Sequence, residues 1–361
     1  AGGQSNMEMP LGGFWQCPVT DANEIIARAS AKSGKLHYVK IPHAAAYTPQ
    51  DRTAGSWTPC TTATAAKFTA AGYFFAEMLN DVLSVPVGII DCSWGGSRVE
   101  SWMSREVLSG YSDIDLTEEG ISRVAQHLRP MVMYNAMLRP VAGYTVRGFL
   151  WYQGESNVGR YMDYAARLAD MVSLWRGLWA QDDLPFYYVE IAPFEYGNGK
   201  SPYLREAQCR AQELIPNSGM ICTNDLVEPY EFCNVHPKNK RDVGYRLAFM
   251  ALNKTYGMRE IACQSPQYES MEIRDGKARI RFKYMDQGFN RMADIRGFEI
   301  CGADKVFYPA DAVVENQFAL VVSSEKVPEP VAVRYCFHDF QPGNLADTRE
   351  LPVVPFRTDD F

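Results

Sequence analysis

Two side chains far apart in this chain are of the types that acyl transfer requires. Ser5 stands in a Gly-Gln-Ser-Asn turn near the amino terminus, and His236 directly precedes Pro237. A serine hydroxyl becomes an effective nucleophile when a neighbouring imidazole removes its proton. We therefore predict that Ser5 is a nucleophile and that His236 is its base.

The setting of His236 favours a neutral imidazole. A helix is predicted to begin at Pro237, since proline suits a first helical position. The positive end of that helix dipole disfavours the imidazolium form and keeps the ring neutral near pH 7. The remaining histidines lack such a setting, and we assign structural or surface roles to His37, His43, His127 and His338.

A third group should orient the imidazole and fix its tautomer. Asn234 stands two residues before His236 and Cys233 three residues before, and neither supplies a carboxylate. Asp225, Glu228 and Glu231 are close in sequence, and a backbone carbonyl could also accept the proton on Nδ1. Among these candidates and Asn234, we favour a Ser–His dyad oriented by a carbonyl or by Asp225.

An oxyanion needs hydrogen-bond donors that are fixed before the reaction starts. Gly96 follows a predicted strand at residues 85–90, and Gln153 and Asn157 follow a predicted strand at residues 146–152. Active sites of α/β proteins collect at the carboxyl ends of strands. We therefore predict a backbone donor at Gly96 and side-chain donors at Gln153 and Asn157.

Two patterns divide the chain. From about Thr61 to Tyr256, helical and strand periodicities alternate, which predicts an α/β domain with a mainly parallel sheet. Later segments alternate polar and apolar residues around Asp275-Gly276, a strong hairpin signal. The predicted units are an α/β domain at residues 1–258 and a small β module at residues 259–361, packed together.

The beginning of the chain is abrupt. Only four residues precede Ser5, whereas a nucleophile of this kind usually stands where a strand ends. We therefore expect the preceding strand, and any secretion signal, to lie in a longer polypeptide ahead of residue 1.

Composition excludes several classes of protein. The 361-residue chain has a formal net charge of −7 and no run of Lys or Arg, so nothing indicates a site for nucleic acid or an anionic membrane. No apolar stretch reaches the roughly 18 residues of a membrane-spanning helix. The cysteines show no C-x-x-C pair or other metal-ligand spacing, so a structural zinc site is not expected.

Four motifs stand out in the chain. They are GQSNMEMP at 3–10, WGGS at 94–97, WYQGESN at 151–157, and HPKNK at 236–240 followed by VGYRLA at 243–248. Together they resemble the sialate O-acetylesterases of the SGNH hydrolase superfamily. The similarity continues into residues 297–305 and 355–359, so it covers essentially the whole chain.

The resemblance implies a three-layer α/β/α SGNH-hydrolase-like domain with a mainly parallel sheet, plus a small C-terminal β module. It also implies removal of acetyl groups from hydroxyls of sialic acid or another sugar, without a metal or an organic cofactor. Many relatives carry aspartate two residues before the histidine, where this chain has Asn234. A periplasmic or secreted location is a further expectation from the family.

Our main hypothesis is a serine carbohydrate O-acetylesterase that acts through an acyl-enzyme on an acetylated carbohydrate. The alternatives are an esterase for acetylxylan or another plant polysaccharide, and a catalytically inactive sugar-binding protein. Arg98 suits the carboxylate of a sialic acid. The candidate substrate contacts, which flank the predicted catalytic loops, are Arg98, Trp94, Trp102 and Trp15. The sequence does not indicate an oligomeric state.

Overall fold

A seven-stranded sheet organises the first part of the molecule. The computed structural model describes residues 1–291 and 294–361. The strands of this sheet are β1 (Gly2–Gly3), β2 (Leu36–Lys40), β3 (Thr58–Pro59), β4 (Val87–Ser93), β5 (Phe149–Tyr152), β6 (Phe186–Val189) and β7 (Ser218–Ile221). Their order is β3-β2-β4-β1-β5-β6-β7. The β2–β3 pairing is antiparallel and the other pairings are parallel.

Eight α-helices lie in the same part of the described chain. They are α1 (Ser5–Glu8), α2 (Ala22–Arg28), α3 (Ala70–Leu83), α4 (Arg105–Leu108), α5 (Glu118–Ser122), α6 (Tyr164–Leu178), α7 (Ser201–Leu214) and α8 (Lys240–Lys254). Short 3₁₀ segments occupy Ala29–Lys32, Ala65–Lys67, Val99–Trp102, Gln126–Leu128, Arg139–Val141, Glu155–Asp163 and Pro229–Glu231, and a π-helix occupies Tyr134–Leu138.

The helices cover both faces of the sheet. Leu150 of β5 packs in a core with residues of α3 and α8, whereas its neighbour Trp151 packs in a second core with residues of α6 and α7. Successive side chains of a strand point to opposite faces, so the two cores lie on opposite sides of the sheet. The predicted three-layer α/β/α arrangement with a mainly parallel sheet is confirmed.

A strand does precede Ser5. Gly2 and Gly3 pair with β4 on one side and with β5 on the other. Gly3 has a φ of 135°, and a Cβ atom there would stand 2.1 Å from the carbonyl oxygen of Tyr152, so only glycine fits. The expectation that this chain lacks a strand ahead of Ser5 is therefore wrong, because two glycines carry no hydrophobic pattern that predicts one.

The last helix begins later than the sequence predicts. α8 starts at Lys240 and not at Pro237, and the side chain of Asn239 caps it by accepting a hydrogen bond from the backbone N–H of Asp242. Asn is a preferred capping residue, and here it decides the boundary. Because His236 stands ahead of that cap, the helix-dipole argument does not apply to its ring.

The last hundred residues form two four-stranded antiparallel sheets. The strands are β8 (Gln267–Arg274), β9 (Lys277–Lys283), β10 (Phe298–Cys301), β11 (Phe307–Pro309), β12 (Asp311–Glu315), β13 (Ala319–Ser323), β14 (Ala332–Tyr335) and β15 (Phe356–Arg357). Their orders are β11-β10-β14-β15 and β12-β13-β9-β8. Asp275 and Gly276 join β8 to β9 with φ values of 50° and 69°, which confirms the predicted hairpin.

The β strands enclose a core of their own and also contact the α/β part. Ile280 and Val333 are buried in this core, and all residues that form it lie at or after Tyr268. Arg205 of α7 donates to the carbonyl oxygen of Cys336 at 3.2 Å. The predicted C-terminal β module is confirmed, while the domain boundary at residue 258 stays a prediction. No helix in the described part of the chain is long and apolar enough to cross a bilayer.

Candidate active site

Three adjacent strands deliver the predicted catalytic loops to one edge of the sheet. β1 lies between β4 and β5, and the three strands are parallel. Ser5 follows β1, the Trp94–Ser97 turn follows β4, and the Gln153–Asn157 segment follows β5. The carboxyl ends of neighbouring parallel strands meet at one edge, so these loops surround a common site.

Side chains next to Ser5 hold two of the surrounding loops. The Oε1 atom of Gln4 accepts the backbone N–H groups of Gly154 and Ser156, both at 3.3 Å. The Oε2 atom of Glu8 accepts the backbone N–H of Gly95 at 2.6 Å. The turn that carries the candidate nucleophile is therefore fixed to the loops after β4 and β5.

Asn6 connects the nucleophile turn to the histidine segment. Its Nδ2 atom donates to the carbonyl oxygen of Val235 at 2.9 Å and to Oε1 of Glu155 at 2.5 Å. Its Oδ1 atom accepts from Nζ of Lys240 at 2.7 Å. Because Asn6 follows Ser5 and Val235 precedes His236, the backbone segments of the two candidate catalytic residues are neighbours.

Ser5 and His236 thus lie in one region, as the sequence predicts. Both residues are partly buried. The Nε2 atom of His236 is buried and has no hydrogen-bond partner among the described residues, so the hydroxyl of Ser5 does not donate to it in this structure. Such contacts are often long in free enzymes and shorten when substrate binds. The catalytic roles of both residues stay predictions.

The ring of His236 is held in an environment that favours its neutral form. Burial, reinforced by the charge of Lys240, lowers the pKa of His236 to about 4. The ring of Phe14 packs against it edge-on at a centroid distance of 5.2 Å. From the sequence, a neutral His236 at pH 7 is attributed to a helix dipole. In the structure the causes are instead desolvation of the ring and the neighbouring cation Lys240.

The group on the other ring nitrogen is a thiol. The Sγ atom of Cys17 lies 3.9 Å from Nδ1 of His236 and 3.4 Å from Oδ1 of Asn234. Asn234 itself accepts the backbone N–H of His236 at 3.0 Å. Asn234 therefore fixes the backbone, and it is Cys17, which has no recognisable motif around it, that stands beside the ring.

Asp225 does not orient His236. Both of its carboxylate oxygens accept from the guanidinium of Arg246, at 2.7 and 2.6 Å. A bidentate arginine pair of this kind is a strong charge-assisted contact, and it binds the carboxylate to α8. The prediction of Asp225 as the orienting group is wrong, because closeness in sequence did not imply closeness to the ring.

Replacing Asn234 with aspartate should move the titration of His236. A carboxylate at position 234 would lie next to the Cys17 thiol that faces the ring and would favour imidazolium, so the pKa of His236 should rise from about 4 by about 1 to 3 units. The acid limb of the pH profile of kcat/KM should move upward by the same amount. Cys233→Asp, which adds the same charge at an exposed position, is the control. An unchanged acid limb in Asn234→Asp would show that the titrating group is not His236.

Gln153 is a structural residue of the loop after β5. Its Nε2 atom donates to the carbonyl oxygen of Ser97 at 3.0 Å and to Oδ1 of Asn157 at 2.7 Å. Both of its N–H groups are thereby used, and the side chain is fully buried. The prediction that Gln153 donates to the oxyanion is wrong, because an amide has only two N–H groups to donate.

Asn157 is likewise part of the scaffold. It is fully buried, its Nδ2 atom donates to a carboxylate oxygen of Glu100 at 2.9 Å, and its Oδ1 atom accepts the backbone N–H of Val99 at 3.1 Å. The predicted oxyanion role is therefore not supported for Asn157 either. The two amides connect the loops after β4 and β5 underneath the site.

Backbone donors remain for the oxyanion. The N–H of Gly95 is taken by Glu8, whereas the N–H groups of Gly96 and Ser5 have no protein acceptor in the part of the chain that the structure describes. An ideal Cβ on Gly95 would stand 3.4 Å from Cβ of Ser5, so this turn lies against the candidate nucleophile. Gly96 stays the predicted donor, and the N–H of Ser5 is one that sequence reasoning missed.

The four predicted substrate contacts differ in exposure. Trp15 is 88% exposed, whereas Trp102 is fully buried. Nε1 of Trp102 donates to Oγ of Ser97 at 3.0 Å. The prediction that Trp102 contacts sugar is wrong, because its ring belongs to the core. Trp94 is partly buried and stacks on His43 with a centroid distance of 4.3 Å and an interplanar angle of 1°.

Arg98 is a partly buried cation without a carboxylate partner. Its Nε atom is buried and unpaired, and none of the ion pairs among the described residues includes it. The nearby carboxylate of Glu100 pairs instead with Arg160 and Arg167. An arginine in this state is suited to an anionic group that comes from outside the protein.

Comparisons with known proteins agree with this arrangement. The chain is 34% identical to a carbohydrate acetylesterase from Xanthomonas citri, with a TM-score of 0.89 over 100% of this chain and 80% of that one. Sialate O-acetylesterases of Mus musculus and Homo sapiens are 26% and 28% identical, over 74% and 65% of this chain. The chain spans 58% and 48% of those two proteins.

Residues 1–253 match the model of a protein family described as carbohydrate esterase, sialic acid-specific acetylesterase. The match includes the loops that carry Ser5, Gly96, Asn157 and His236. Since it covers well over half of the 361 residues, the chain belongs to the sialic acid-specific acetylesterase family of carbohydrate esterases.

Proposed function

We propose that this protein is a serine esterase that removes O-acetyl groups from a carbohydrate. The observation that carries the proposal is one hydrogen bond between the segments of Ser5 and His236. Asn6, the residue after Ser5, donates from Nδ2 to the carbonyl oxygen of Val235, the residue before His236. Membership of a carbohydrate esterase family supports it. The neutral imidazole implied by a pKa of about 4 supports His236 as a base at pH 7.

In the proposed reaction, Oγ of Ser5 attacks the acetyl carbonyl carbon while Nε2 of His236 takes the hydroxyl proton. The N–H groups of Gly96 and Ser5 stabilise the oxyanion. Collapse of the tetrahedral intermediate breaks the bond to the sugar oxygen, which receives the proton from His236. Water then attacks the acetyl-enzyme with His236 as base, and acetate and free Ser5 result.

A cleft beside the catalytic residues is suited to the sugar. It has a volume of about 470 Å³, and Glu8 and Phe14 form part of its wall. These are the side chains that contact Gly95 and His236. The rest of the wall has hydroxyl groups, aromatic rings and ammonium groups, together with two small apolar side chains. These residues are Pro10, Tyr38, Lys40, Ser56, Thr58, Ala63, Thr64, Lys67 and Phe68. A mixture of hydrogen-bonding groups and apolar faces matches a carbohydrate.

Sialic acid is the substrate that the unpaired arginine favours. Arg98 follows the Trp94–Ser97 turn and has no carboxylate partner in the described part of the chain, whereas a sialic acid carries a carboxylate. Trp15 and Trp94 are the proposed stacking partners for sugar faces. An acetylated xylan would leave Arg98 unpaired, so the substrate class depends on this residue.

Arg98→Ala should separate the two substrate classes. We expect kcat/KM for acetylated sialic acid to fall about 10- to 100-fold, because a hydrogen bond to a charged group contributes about 1.5–3 kcal/mol. Hydrolysis of acetylated xylan and of p-nitrophenyl acetate should change less than about 2-fold. Arg274→Ala, in the β module, is the control. Equal losses on all substrates would assign Arg98 a structural role, and faster acetate release from xylan by the wild type would favour the plant-polysaccharide activity.

A non-catalytic sugar-binding protein is the alternative of another class. Among the residues that the structure describes, Cys17 and no carboxylate stands beside Nδ1 of His236, which is the observation in its favour. Turnover of p-nitrophenyl acetate by the wild type, with loss in Ser5→Ala, decides for the enzyme. Binding of an acetylated sugar without turnover decides for the binder. A periplasmic or secreted location stays a prediction from the family.

A further inference from the structure

We propose that Asn6 and Lys240 are positioning residues that set the spacing between Ser5 and His236. The proposal rests on the proposed function, in which those two residues react together. Neither Asn6 nor Lys240 touches the reacting atoms in the proposed chemistry. Their role is to hold the nucleophile turn and the histidine segment in one geometry.

The amide of Asn6 is fully used in this arrangement. Its Nδ2 atom donates to Glu155 at 2.5 Å and to the carbonyl oxygen of Val235 at 2.9 Å, and its Oδ1 atom accepts from Lys240 at 2.7 Å. Asn6 is fully buried. Exchanging its oxygen and nitrogen would place N–H groups against an ammonium and an oxygen against a carboxylate. The three partners therefore permit one orientation of the amide.

Lys240 and Glu155 give this contact its strength. Lys240 is fully buried, and its ammonium also lies over the ring of Tyr152 at 5.5 Å. A buried ammonium or carboxylate is costly unless it is paired. Here the two groups face the same amide from its two ends, with Nδ2 of Asn6 donating to Oε1 of Glu155 and Oδ1 of Asn6 accepting from Nζ of Lys240. Loss of Asn6 therefore leaves both buried groups without this hydrogen-bond partner.

The position of Asn6 directly affects the distance between Ser5 and His236. Asn6 follows Ser5 along the chain, and Val235 precedes His236, so one side chain joins residues adjacent to the nucleophile and the base. A displacement of about 1 Å between reacting groups can lower a rate about 100-fold. The charge of Lys240 also contributes to the lowered pKa of His236, and the thiol of Cys17 faces the same ring.

Asn6→Ala should lower kcat for p-nitrophenyl acetate about 10- to 100-fold, with KM changed less than about 3-fold. Asn80→Ala is the matched control. Asn80 is also buried, and its Nδ2 atom donates to the carbonyl oxygen of Val85 at 2.8 Å, ahead of the amino end of β4. The control should lose thermal stability without loss of kcat. A folded Asn6→Ala protein with the kcat of the wild type would overturn the proposal.

A second measurement needs no turnover. An NMR titration of the histidine ring in Lys240→Met should give His236 a pKa above about 4, because one of its two causes is removed. Lys254→Met is the control on the same helix, since Nζ of Lys254 donates to the carbonyl oxygen of Ser218 instead. An identical pKa in the wild type and in Lys240→Met would overturn the role of Lys240. A wild type without esterase activity would instead refute the proposed function.

Discussion

Ser5→Ala is expected to lower kcat for p-nitrophenyl acetate by about 10⁴-fold or more. Without the hydroxyl no acetyl-enzyme can form, and only the oxyanion donors and substrate binding continue to assist water. The measurement is steady-state hydrolysis with enough protein to observe the residual rate. KM for the remaining reaction should stay within a few-fold of the wild type, because the alanine leaves the cleft intact.

Ser30→Ala, at an exposed serine, is the control for Ser5→Ala and should retain full activity. Pre-steady-state kinetics add a second readout. The wild type should show a burst of p-nitrophenol if deacetylation is the slow step, and the Ser5→Ala protein should show none. Retention of more than a tenth of the wild-type kcat in Ser5→Ala would contradict nucleophilic catalysis by this residue.

His236→Gln is expected to lower kcat by about 10³- to 10⁴-fold. Without the imidazole, no group takes the proton of Ser5 at neutral pH. Residues that act as a unit show non-additive effects, so the Ser5→Ala, His236→Gln double variant should be no slower than Ser5→Ala alone. The measurement is the same hydrolysis assay on all four proteins.

His338→Gln in the β module is the control for His236→Gln. The Nε2 atom of His338 pairs with Glu299 at 2.7 Å, far along the chain from the catalytic loops, and its loss should leave kcat unchanged. Independent, multiplicative losses from Ser5→Ala and His236→Gln would show that the two side chains do not act in one step. The position of His236 near Ser5 would then not reflect a role as the base for Ser5.

The sequence predicts the fold well where hydrophobic patterns are long. The apolar run predicted as a strand at residues 85–90 corresponds to β4 (Val87–Ser93), because a strand inside a parallel sheet leaves a nearly continuous apolar signal. It misses β1, whose two glycines are selected by close contact with Tyr152 and not by hydrophobicity. The start of α8 is misplaced because the capping side chain of Asn239 overrides the preference of Pro237.

The sequence predicts the site less completely than the fold. Loop motifs indicate which segments meet, and Ser5 and His236 do lie in neighbouring segments. The motifs do not indicate which of their side chains face the substrate. Gln153 and Trp102, for example, face the protein interior. Cys17 could not be found from its surroundings, because its contact with His236 joins residues 219 positions apart.

The central claim is that Ser5 is activated by His236, and labelling by diethyl p-nitrophenyl phosphate tests it most directly. An activated serine displaces p-nitrophenolate and keeps the diethylphosphoryl group. We predict one adduct per protein, located on Ser5 by peptide mass spectrometry and absent from His236→Gln after the same exposure. An adduct on another residue, or equal labelling of Ser5 in the wild type and in His236→Gln, would contradict the account.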